Sequence, residues 1–106
     1  MAIRVVISPQ TTAVNTERIS ISEAMVPVTF QTTGLGSGEE IAFQVTAQSV
    51  SAPTDWENAV QGGGDIVLSI AQNSQRIASP CIIRLSKPST AAAVGVMMID
   101  RYAASV

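Results

Sequence analysis

Asp55 and Glu57 stand two residues apart, with Asn58 beside them and Asp65 beyond a run of three glycines. In an extended strand both carboxylates project from one face, and oxygen-rich groups of this kind hold calcium. The spacing matches no EF-hand or repeat-type calcium loop, so the expectation is solvated acids at a loop edge and no bound metal. A glycosidase needs two carboxylates facing each other across a cleft, and nothing in this spacing provides that. Trp56, between the acids, has two readings. It is either a platform for a sugar or an anchor for a partner, or an apolar plug sealing one end of a core poor in aromatics. The plug is the expected role. Asp55, Trp56, Gly62, Gly63 and Gly64, with Leu35 in the other glycine turn, are the candidate contact residues.

Other catalytic chemistry has little to stand on. None of the 106 residues is histidine, which removes the Ser–His–Asp arrangement and the usual proton shuttle near neutral pH. The 33–38 turn and the 62–64 run lack the G-x-x-x-x-G-K-[S/T] pattern, and neither precedes a convincing helix that could receive a phosphate. The single cysteine, Cys81, sits between Pro80 and Ile82 with no basic neighbour, so it reads as a small buried hydrophobe. The expectation is a protein without enzymatic activity or cofactor, working through its surfaces.

Composition sharpens that expectation. Ser, Thr, Gln and Asn number 31, against 6 basic and 8 acidic residues, and the net charge is only −2. Hydroxyls and amides cost less to desolvate than ions, so such a surface suits burial against a neighbour in an assembly. The basic residues are scattered singly, which argues against a nucleic-acid partner. No apolar run approaches the ~18 residues of a membrane span. The apolar stretch at the start is too short for a signal-peptide core, and one cysteine makes no internal disulfide. Synthesis in a reducing cytoplasm is the expectation.

The elements that must position these residues read as strands throughout. Residues 3–7 form a β-branched run, and 17–22 alternate with Ile19 and Ile21 on one face. The polar stretch 8–16, with a proline and three threonines, reads as an extended N-terminal arm or a loop. Val28 and Phe30 share a face after Pro27; Ile41, Phe43 and Val45 share another. The glycine turn between those two runs predicts a hairpin. A short strand over 55–60 carries Trp56, and another over 66–70 is apolar on both faces. Residues 81–86 and 94–102 supply the last two, the second preferred over a helix because Val94, Val96 and Met98 share a strand face. Met97 and Met98 then point to opposite sides, and Glu39-Glu40 reads as a solvated start of its strand. About eight or nine short antiparallel strands, with turns roughly every ten residues, predict one all-β domain over 1–106. A β-sandwich, Ig-like or jelly-roll-like, is the expected fold; a small barrel fits the same spacing.

The order of Thr33-Gly34-Leu35-Gly36-Ser37-Gly38-Glu39-Glu40-Ile41, Trp56, Ile66-Val67-Leu68-Ser69, Arg84-Leu85-Ser86-Lys87-Pro88 and Val94-Gly95-Val96 resembles small structural proteins of tailed bacteriophages. The resemblance covers about residues 20–98. It implies an Ig-like or related sandwich mounted on a virion, as a head decoration (cement) protein or a tail or fibre component. It further implies the major capsid protein or another virion protein as partner, and a homo-oligomer, often a trimer. It carries no residue-level site.

Overall fold

The computed structural model describes residues 3–61 and 63–100. Two antiparallel sheets face each other. The first runs β1 (Ile3–Gln10), β12 (Val94–Ile99), β4 (Val28–Thr33), β10 (Ser74–Ile77). The second is centred on β11 (Cys81–Lys87) and β5 (Ile41–Thr46). Its outer lanes are interrupted: β2 (Val14–Asn15) and β3 (Ile19–Ile21) both pair with β11, while β6 (Glu57–Asn58) and β9 (Val67–Leu68) both pair with β5. A separate two-stranded ribbon joins β7 (Val60–Gln61) to β8 (Gly64–Asp65). The chain is the all-β sandwich expected from its alternation, and β12 is a strand.

The period of two decides which side chains meet. Val28 and Phe30 of β4, Ile41 and Phe43 of β5, Ile83 and Leu85 of β11, and Val94, Val96 and Met98 of β12 all turn inward. Phe30 and Phe43 come from opposite sheets and meet edge to face, with centroids 5.2 Å apart at 77°. Such a pair adds about 0.5–1.5 kcal/mol beyond its buried area. Thr32 is the one hydroxyl on the inner side of β4; its Oγ1 donates to the Gly95 carbonyl at 2.6 Å, so its burial is satisfied.

Several expectations change. The 33–38 turn does not close a hairpin, because β4 belongs to the first sheet and β5 to the second. It is an arch between sheets. Leu35 drops into the core from it, and Gly34 (φ +93°) and Gly38 (φ +80°) supply the left-handed backbone. The 8–16 segment is not a free arm. It finishes β1, crosses, and enters the second sheet as β2, held by Thr16 N–H to the Leu85 carbonyl (3.0 Å) and Ser86 Oγ to Asn15 Oδ1 (2.7 Å). The strands expected over 55–60 and 66–70 are broken: Trp56 precedes β6, Val60 belongs to β7, and of the second only Val67–Leu68 is strand. The last strand ends at Ile99, with Asp100 already outside it, and the rest of its expected extension, 101–102, lies outside the described residues.

Candidate functional site

The second sheet's outer face is covered by its own chain. Arg84 of β11 and Gln44 of β5 project outward side by side, and Arg84 Nε donates to Gln44 Oε1 at 2.7 Å. Trp56 lies over the guanidinium, its ring centroid 4.8 Å from Arg84 Cζ, and its indole N–H donates to the Pro53 carbonyl at 3.1 Å. Gln48 folds the preceding loop down. Its Oε1 accepts the Thr54 and Asp55 amides at 2.7 and 2.9 Å, and its Nε2 donates to Asp55 Oδ2 at 3.3 Å. Gln44 Nε2 reaches Asn58 Oδ1 at 3.1 Å, and Asn58 Nδ2 reaches Asp65 Oδ2 at 3.4 Å.

The expected residues therefore separate. Trp56 is half-buried on the outside of a sheet, stacked on a cation, and is not a plug in the core. One ring face and the N–H are already engaged, which leaves little of a sugar platform. Asp55 is exposed and spent on Gln48. Gly63 (φ +86°) and Gly64 are exposed at the ribbon tip, with nothing near the position a Cβ would take; Gly62 lies outside the described residues. Leu35 is a core residue, so it offers no contact surface. Among the described residues no three His, Cys, Asp or Glu side chains gather as metal ligands.

None of the described residues is laid over the exposed row on the first sheet's outer face. Register places Val5, Met97 and Gln31 in one row across β1, β12 and β4, and Ile3, Ile99 and Thr29 in the next. Val5 is 57% and Met97 44% exposed. Beside them β1 bulges, with register shifts between Val5 and Ile7 and between Ile7 and Gln10. Gly95 lies under that bulge, where an added Cβ would meet the Ile7 carbonyl oxygen at 2.8 Å. The missing side chain lets β1 cross close to β12, and beside the crossing lies a depression of about 300 Å³ lined by Val5, Pro9, Gln31, Thr33, Gly95 and Met97 among others. As expected, Met98 is buried while its neighbour Met97 faces out.

A polar cluster closes one end of the sandwich, and sequence reasoning missed it. Lys87 is 2% exposed, its Nζ donating to the Thr12 carbonyl (2.7 Å), the Pro88 carbonyl (3.1 Å) and Thr90 Oγ1 (3.2 Å). Burial pushes the ammonium pKa down, and the Glu39 charge draws it part of the way back. Glu39 Oε1 accepts the Gly36 amide at 2.7 Å and Oε2 the Ala91 amide at 2.9 Å, tying the arch to the loop before β12. Those two amides hold the carboxyl below its usual range; slight desolvation opposes them and Lys87 adds to them. With its protons committed to three acceptors, Lys87 is a staple and not a nucleophile. The signal was available: Lys87 has the same parity in β11 as Ile83 and Leu85. Burial also raises the Cys81 thiol, so it stays protonated at neutral pH. No family model, curated protein or solved structure matches this chain.

Proposed function

We propose that this protein is a virion structural component, a capsid decoration (cement) protein that binds the outside of a phage head. The observation that carries the reading is the contrast in covering: one sheet face is capped by its own loop, while the other presents Ile3, Val5 and Met97 to solvent beside uncharged Gln31 and Thr29. An apolar centre among neutral polar groups is the anatomy of a docking surface. The sequence resemblance to tailed-phage structural proteins supplies the setting. In that setting the protein meets the major capsid protein and copies of itself, and many modest contacts repeated around a symmetric lattice add up. A tail or fibre location uses the same fold and surface.

The test is to mix purified protein with shells that lack it. Co-sedimentation saturating at a fixed copy number per lattice position supports decoration. A protein left in the supernatant, or bound without saturation, contradicts it.

A further inference from the structure

The lane beside β5 contains an excursion. Ala59 N–H donates to the Phe43 carbonyl at 2.7 Å, and Phe43 N–H donates to the Ile66 carbonyl at 3.2 Å, so 59 and 66 meet the same residue of β5. The chain between them leaves the sheet as the β7–β8 ribbon. Beside the point of departure opens a cleft of about 510 Å³ lined by residues of both sheets. It reaches the core residues Phe43 and Ile83, and half-buried Val45, Ile66, Ile77 and Cys81 line it as well. A concave apolar site of this volume is of the size that takes a small ligand.

One side chain breaks the apolar lining with a charge. Register sets Glu57 opposite Val45, and Val45 packs against the core, so Glu57 leaves β6 on the inner side of the second sheet and lines the cleft. Alternation asks for an apolar residue there. Among the described residues its carboxylate has no hydrogen-bond or ionic partner, and no Lys or Arg lines the cleft. Val60, 66% exposed, adds apolar area at the same cleft.

We propose that this cleft binds a single-chain amphiphile with a cationic head, its hydrocarbon chain against Phe43 and Ile83 and its ammonium beside Glu57. A chain that enters end-on covers the apolar walls down to the core, whereas the flat surface of a folded partner would meet only the rim. The sign of the head follows from charge complementarity. Glu57 is the one charged group among the described lining residues, and burial keeps the Cys81 thiol protonated, so the wall repels an anionic head and attracts an ammonium. The cleft shares no lining residue with the depression beside β1, and the proposal stands apart from the virion reading.

Calorimetric titration of the whole purified chain with octylammonium, and separately with octanoate, tests the proposal. The expected result is saturable binding of one octylammonium per chain with a Kd of about 1 mM or tighter, and octanoate about tenfold weaker. Glu57→Gln should narrow that preference to about twofold, and added salt should narrow it in the parent. Cys81 is the only cysteine, so its alkylation reports on the cleft, and saturating octylammonium should slow it several-fold with an unchanged circular-dichroism spectrum. Ala78→Trp, at an exposed lining position, should abolish binding, and Ala78→Leu stands in if the tryptophan variant does not fold. Octanoate bound as tightly as octylammonium, or Glu57→Gln without effect on the preference, would leave Glu57 as a guard against edge pairing and overturn the proposal. Uptake without saturation, unchanged Cys81 alkylation, or no binding of either chain would overturn it as well, the last leaving the cleft to a side chain of a partner protein.

Discussion

Outward from β11 and β5 the chain places Arg84 and Gln44, and then lays Trp56, Gln48 and Asn58 over them in a continuous set of hydrogen bonds and one cation–ring contact. Outward from β12 and β1 it places Met97, Ile99, Val5 and Ile3, and none of the described residues covers Met97, Val5 and Ile3 in the same way. The inner sides of the two sheets are alike: aliphatic, alternating, joined by Phe30 and Phe43. A sandwich needs only its inner faces to fold, so the outer faces are free to diverge. The capped face resolves its polar groups within the chain. The bare face leaves apolar area for something else to cover.

Substitutions can break that contrast in graded steps. Gly95→Val should have the largest effect, because its Cβ would meet the Ile7 carbonyl oxygen at 2.8 Å and the Pro9 nitrogen at 3.0 Å. Lifting β1 off β12 should cost about 2–3 kcal/mol, read as a lower urea midpoint. An unchanged midpoint would mean that β1 is not held against Gly95. Trp56→Ala acts on the other face. It should lose about 1–2 kcal/mol and leave a folded β protein, since the ring covers Arg84 outside the core. Complete unfolding would return Trp56 to the role of core plug.

Acid should act at the end where the two sheets are tied together. Glu39 has a folded pKa below the 4.5 of the free group, so its contribution is complete above that pH and drains away as pH falls through the lower, folded value. Thermal midpoints from pH 6 down to about pH 3 should therefore fall less steeply in Glu39→Gln than in the parent. Parallel curves would remove Glu39 from the tie. The smallest effect on stability is expected from Met97→Ser, within about 0.5 kcal/mol, because the side chain meets solvent. The same change should weaken docking, and a variant that docks as well as the parent would move the contact elsewhere.

Much of this was legible from residues alone. The alternation over 41–46, 81–86 and 94–98 assigned the inner faces, and Met97-Met98 divided as the period of two requires. What escaped depends on partners far along the chain. The glycines at 34, 36 and 38 announce a reversal but not whether the next strand joins the same sheet; Leu35 and Glu39, meeting the core and the Ala91 amide, decide that. Residues 8–16 look free by composition because the partners of their polar groups lie in β11 and after it. Trp56 looked like core because Arg84, which it covers, is distant in sequence. Lys87 lay one residue past the strand expected over 81–86, although its parity with Ile83 and Leu85 placed it inside.

The most direct measurement is the reactivity of Met97 toward hydroxyl-radical oxidation in free protein and in protein bound within a particle. Met97 is the exposed thioether on the bare face, and a covered face must shield it. The account predicts fast oxidation in the free chain and strong protection once bound. Equal oxidation in both states would show that this face stays open to water, and the docking account would fail.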